Sequence, residues 1–218
     1  MTQGRRVSFG RQRAAALAIL FALACGSAQA GILTFYPTRD AFNAAEPGLP
    51  VQSFDGANLY GQSYVTQANP LTPSTNDAVF STGSILPGLW IKTQHPGSES
   101  DALLVYAGGP VGAVSVGNYW FEDTLVLDFR NGVSAVAFNL FGNTAASTSF
   151  AVDIYVQFLS GKRPIGAKTF HEGTGQFIFL GVSSAGYPIT RVLITWASDE
   201  DSDTFVSDIA FGTPAPAR

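Results

Sequence analysis

The sequence predicts an all-β protein, a single antiparallel β-sandwich of jelly-roll type with one short helix near its start. Three observations predict it. Apolar and polar residues alternate at a period of two through most of the second half of the chain, the mark of strands buried on one face. Turn signals separate these runs: Asn131-Gly132, Ser160-Gly161, Glu172-Gly173 and Ala185-Gly186, a spacing of about 8–15 residues that suits hairpins and crossovers. Charged residues make up only 13% of the chain and aromatics 12%. That composition excludes a disordered chain and supplies the large side chains a sandwich core needs.

The amino terminus reads as an address. Arg5, Arg6, Arg11 and Arg13 precede an apolar run from Ala14 to Ala24, and Ala28-Gln29-Ala30 follows with small residues. A basic segment, a short apolar segment and an A-x-A site make a secretory signal over residues 1–30, cleaved after Ala30, with Ala28 and Ala30 read by the peptidase. The run falls well short of the about 20 residues needed to span a bilayer. Two variants stand beside this reading. Arg5-Arg6 opens a twin-arginine pattern whose neighbours fit it poorly, and Cys25 is a lipoprotein cysteine preceded by Ala22-Leu23 in the wrong order for a lipobox. A buried amphipathic helix is the structural alternative, and four arginines without an acid disfavour it. The protein is expected to be secreted or periplasmic, with no transmembrane anchor after processing.

Processing changes the chemistry of what remains. Residues 31–218 hold 8 Lys+Arg against 16 Asp+Glu, a net charge of −8, and neither Cys nor Met. A disulfide framework and a Cys-rich zinc module are excluded. So acidic a chain is a poor nucleic-acid binder, and its acidity favours cations or neutral glycans over anionic polymers. Stability must come from the core alone, and a domain of this length buries about 70% of its unfolded surface.

The elements follow in order within one domain, 31–212, ahead of a flexible tail, 213–218. A short helix is capped by Thr38, carries Asp40 in its first turn, shows Ala41, Phe42 and Ala45 as its apolar face, and is stopped by Pro47-Gly48. Residues 56–76, rich in Gly, Asn, Ser, Thr and Pro, read as a long surface loop bearing Tyr60 and Tyr64. Strands come next. In 124–130, Leu125, Leu127 and Phe129 face inward, and Thr124, Asp128 and Arg130 outward. In 150–158, Phe150, Val152, Ile154, Val156 and Phe158 face inward, and Asp153, Tyr155 and Gln157 outward. Runs 133–141, 175–182, 189–196 and 204–211 read likewise, with Trp196 packing in the core.

Several of these runs carry a resemblance. Val133-Ser134-Ala135-Val136-Ala137-Phe138-Asn139-Leu140 after Phe129, the aromatic run Phe177-Ile178-Phe179-Leu180-Gly181-Val182, the pair Pro188-Ile189 before Val192, and the ending from Phe205 through Asp208 to Phe211-Gly212 are similar to exported bacterial proteins of the PEP-CTERM type. The match covers about the last 90 residues; Arg39-Asp40-Ala41-Phe42 and Phe54-Asp55-Gly56 match more weakly. The resemblance implies a jelly-roll domain outside the cytoplasm. Its members usually continue into a Pro-Glu-Pro sorting segment, whereas this sequence stops at Pro216-Ala217-Arg218, so the expectation is a protein free of that segment.

Candidate sites follow from residue chemistry. Asp55 and Asp208 resemble paired positions that hold one structural calcium in carbohydrate-binding jelly rolls, and two carboxylates with backbone carbonyls suit that ion. The alternative makes Asp55 a turn acid and Asp208 an outward strand residue. Asp199, Asp201 and Asp203 form a second possible cation site within an acidic cluster that otherwise reads as a solvated loop. It fails as an EF-hand, because Thr204 stands where Gly is needed and Ala210 where the bidentate Glu belongs. Catalysis has little support. There is no Gly-x-Ser-x-Gly elbow, His95 and His171 are the sole histidines, and Glu122-Asp123 are adjacent and would face opposite ways on a strand. Among the aromatics, Trp120, Tyr119 and Trp90 are the glycan-stacking candidates, with Tyr60, Tyr64 and Tyr155 behind them. The expected function is an exported non-enzymatic protein that binds extracellular glycan or exopolysaccharide at the cell surface or matrix, with a structural calcium. The alternatives are a secreted polysaccharide hydrolase and a structural exported protein without a small ligand.

Overall fold

The computed structural model describes residues 32–94, 102–107, 113–120, 123–144, 152–172, 177–196 and 202–213, all within Gly31–Arg218, the second of the two units into which the chain divides. Residues 1–30, which the sequence suggests are a signal, lie outside the described residues with Cys25, Ala28 and Ala30, as do Asp199 and Asp201. No helix among the described residues is long and apolar enough to cross a membrane.

In chain order the elements are β1 (Ile32–Tyr36), α1 (Arg39–Ala45), β2 (Val51–Gln52), β3 (Tyr64–Ala68), β4 (Leu89–Gln94), β5 (Ala102–Tyr106), β6 (Ser115–Asn118), β7 (Thr124–Val133), β8 (Ala135–Thr144), β9 (Val152–Ser160), β10 (Arg163–Glu172), β11 (Ile178–Ala185), β12 (Ile189–Trp196) and β13 (Ser202–Gly212). They form two antiparallel sheets. One has the order β1-β11-β8-β13-β6-β5-β3, with β2 added against β13, and the other the order β10-β9-β12-β7-β4. From β6 onward the chain changes sheet at every connection except the β9–β10 hairpin, which is the jelly-roll habit.

The alternation seen in the sequence is the alternation of the sandwich. Leu125, Leu127 and Phe129 from one sheet meet Val136, Phe138, Leu140, Val206 and Ile209 from the other in one buried cluster, joined by Ile154, Val156, Phe158, Val192 and Ile194. Asp128 and Arg130 point outward, as expected, and Asp153, Tyr155 and Gln157 are half-buried on the opposite side of β9 from the core.

Four expectations are corrected. Residues 56–76 are not all loop, because Tyr64–Ala68 is a strand that pairs along its whole length with β5. Directly after it, Leu71 is fully buried and bridges Ile91. The segment is edge structure with polar outward positions, so its composition resembles a loop. Asn131-Gly132 does not end a strand: β7 runs through it to Val133, and Gly132 (φ 64°) takes up an irregularity in the β7–β12 register before the chain crosses at Ser134. The helix buries Phe42 alone, while Ala41 and Ala45 are exposed. Asp203 lies within β13, not in a solvated loop.

The helix is as short as its signals suggest. The Thr38 hydroxyl accepts from the Ala41 N–H at 3.2 Å, and the chain turns out at Glu46 before Pro47. α1 lies on the outer face of the larger sheet, where Phe42 clusters with Ala135, Ala137 and Ala210 and meets the edges of Tyr36 and Phe179. Small residues in the sheet make that seat. A Cβ on Gly181 would stand 2.9 Å from the Phe42 ring.

Candidate functional site

The register brings the end of β6, the start of β7 and the start of β13 to one end of the sandwich. Tyr119 and Trp120 leave β6 there. They are among the few exposed large apolar side chains, at 39% and 41% exposure, and their rings meet edge to face at 5.2 Å. Their backbone is fixed from beneath. Fully buried Asn118 donates from Nδ2 to the Trp120 carbonyl at 2.6 Å and accepts the Thr204 N–H on Oδ1 at 2.7 Å. The N–H of buried Asp123 reaches the same Trp120 carbonyl at 3.0 Å. One amide thus ties the aromatic turn to the neighbouring strand, beneath two part-exposed rings.

Trp90 is on a different surface, the outer face of the smaller sheet. It is half-buried, and the Arg130 guanidinium carbon lies 3.4 Å from the centre of its ring. Beside it, Asp128 accepts from Arg191 through both oxygens, at 2.5 and 3.3 Å, and pairs with Lys92 at 2.5 Å. Burial alone would raise the Asp128 pKa, but hydrogen bonds and charge from Arg191 and Lys92 hold it below the ordinary carboxylate value. Residues 90, 128 and 191 stand side by side across β4, β7 and β12. The sequence reading singled out Trp90 but missed Lys92, Arg130 and Arg191. Their shared signal was the outward parity of the positions.

Asp55 and Asp208 are held by different partners. Asp55 is an exposed turn acid that accepts from the Ser53 hydroxyl. Asp208 sits in β13 at a register irregularity with φ 49°. Its carboxylate accepts from Asn139 Nδ2 at 2.8 Å and from the Ser207 hydroxyl at 3.1 Å. Arg39 from α1 donates to the Asp208 carbonyl at 2.9 Å and lies over the Phe179 ring at 4.7 Å. Burial lowers the Arg39 pKa and the charge of Asp208 opposes that, so a side-chain cation already faces this acid. No group of three or more His, Cys, Asp or Glu gathers among the described residues.

The other candidates are dispersed. His171 is exposed and its Nδ1 pairs with Asp153 across the β9–β10 hairpin. The Tyr60 hydroxyl donates to the Ala78 carbonyl at 2.7 Å, Tyr64 stands exposed on edge strand β3, and Tyr155 lies half-buried on β9. His95 and Glu122 lie outside the described residues.

The fold also changes the chemistry of Asp203. Its Oδ1 is buried without a hydrogen-bond partner, and burial pushes its pKa up to about 7 from an ordinary 3.8. Between those values the unfolded chain ionises Asp203 while the folded one keeps it protonated, so its contribution to stability falls as pH rises through that window. Asp77 and Asp128 are shifted downward and act below it. The gain in Tm of Asp203→Asn over wild type is therefore expected to be small near pH 4 and to grow to a plateau above pH 7. A difference that stays flat from pH 4 to 8 in thermal melts refutes this.

No protein-family model and no curated protein matches the chain. Among solved structures, a family 29 carbohydrate-binding module is similar at 9% identity, over 84% of this chain and 88% of that one, with a TM-score of 0.37. A second family 29 module matches at 11% identity, over 69% and 90%, with a TM-score of 0.36. The CsCBM6-3 module from Clostridium stercorarium, in complex with cellobiose, matches at 13% identity, over 67% and 94%, with a TM-score of 0.31. The sandwich itself is established by the strand pairing above.

Proposed function

We propose that this is an exported, non-enzymatic β-sandwich protein that binds extracellular glycan, with Trp120 and Tyr119 as its stacking surface. One observation carries the reading: two adjacent, exposed aromatic rings are displayed on a turn held by a buried amide. The exposed part of each ring is apolar area left in water, which adds nothing to the stability of the fold. The same rings offer flat apolar area to the C–H faces of a sugar at little conformational cost, because their backbone is already fixed. The basic leader and its Ala28-Gln29-Ala30 site support export.

A glycan array followed by calorimetry tests the reading. Wild type is expected to bind, and Trp120→Ala to bind at least tenfold more weakly, equivalent to about 1.4 kcal/mol. Its melting temperature should fall by no more than a few degrees, because the side chain is part-exposed and belongs to none of the buried clusters. No reducing ends should appear on incubation with the bound polymer. Equal binding by the variant, or release of sugar, overturns the proposal.

A further inference from the structure

The outer face of the smaller sheet concentrates positive charge in a protein that is otherwise acidic. Three of the eight Lys and Arg residues in 31–218, Lys92, Arg130 and Arg191, line one cavity of about 290 Å³ with Trp90, and Asp128 is the sole acid there. Asp128 cannot neutralise them all. It engages Lys92 and Arg191 together, which holds two mutually repelling cations side by side. Arg130 is exposed, lies over the Trp90 ring, and has no ion-pair partner among the described residues.

We propose that this cavity binds the carboxylate of an acidic sugar, so that the glycan recognised is a carboxylated polysaccharide. The inference rests on the glycan-binding reading and supplies its chemical class. Arg191 spends two of its donors on Asp128 and keeps the others. The Lys92 ammonium has three hydrogens and one anionic partner. The Arg130 guanidinium, steadied by the indole, presents the planar fork that matches a carboxylate. Asp128 is a positioning residue, since it fixes Lys92 and Arg191 without itself meeting an anion. The part of the Trp90 ring that Arg130 leaves uncovered supplies, within the same cavity, an apolar contact that a pyranose uses and a free inorganic anion does not. The net charge of −8 favours neutral partners for the domain as a whole, but the local excess of two positive charges reverses that preference on this face.

Affinity electrophoresis through gels containing polygalacturonate, alginate or hyaluronan tests the inference, with carboxyl-reduced polygalacturonate as the neutral control. Wild type is expected to be retarded by at least one carboxylated polymer, at least fivefold less by the neutral one, and less as NaCl rises from about 50 to about 500 mM. Arg130→Gln and Lys92→Gln each leave the Asp128–Arg191 pair intact, and both are expected to lose most of the retardation while keeping the wild-type melting curve. Wild-type retardation of both variants, or equal retardation by the reduced polymer, overturns the inference. Sugar binding that responds to Trp120→Ala alone would leave the glycan reading standing. Absence of retardation by all three acidic polymers also overturns the inference, while the glycan reading is then judged on its own array.

Discussion

Gly117→Ala is expected to destabilise the fold by about 3 kcal/mol or more, at the upper end of what overpacking a core does. Gly117 lies inside β6, flanked by β13 and β5 and paired with Phe205 and Leu104. A methyl group there would collide with the Thr204 backbone carbonyl and stand 2.7 Å from Phe205 Cδ1. Neither neighbour has room to move. The carbonyl belongs to the sheet, and the Phe205 ring is fully buried and stacked on Phe141 at 5.1 Å. Urea denaturation reads the effect as a lower midpoint at unchanged slope. A loss below about 1 kcal/mol would show that β6 and β13 separate easily. Gly166 makes the contrast: its added Cβ would meet the flexible end of Leu33, so Gly166→Ala should be far milder.

Phe42→Ala should cost about 3–5 kcal/mol, the range for a large aromatic deleted from a closed site. Phe42 is fully buried and is the one buried side chain of α1. Its neighbours beneath on the sheet are Ala135, Ala137, Ala210 and Gly181, too small to reach into the vacated space, while Tyr36 and Phe179 meet it edge-on from the sides. Hydrogen exchange gives a second readout. Amides of α1 should lose protection beyond the global change, and those of β7 and β12, on the other sheet, should follow the global change alone. A loss below about 1 kcal/mol would mean that the helix is held by its polar contacts, chiefly Arg39 with Asp208 and Asn139.

The strands from β7 onward, β10 apart, were legible because each has one face in the core, and burial on one face writes a period of two into the sequence. β3 was not, because it is an edge strand with a single buried side chain, Gln67, whose amide donates to Asp77 at 2.6 Å. A buried glutamine is invisible to any reading of apolar pattern. The aromatic pair at 119–120 was legible as composition, while its amide support was not, since Asn118 and Thr204 lie 86 residues apart. The cationic face was hidden for the same reason. Asp128 and Arg191 are 63 residues apart and meet because β7 and β12 pair in one register. Asp203 read as one acid in a run of acids, and only its place in β13 removes it from water.

β13 is the last of the described strands along the chain, and it lies in the middle of its sheet, between β8 and β6. Until Ser202–Gly212 has emerged, β6 and β8 keep open edges facing each other, and the larger sheet exists as two halves. At about 5–20 residues per second of synthesis, the stretch from Asn118 to Ser202 keeps the sheet unclosed for roughly 4–17 s. The chain is therefore held by its own topology with the larger sheet unclosed until the last of the described strands has emerged. Closure is a slow, late step set by non-local pairing.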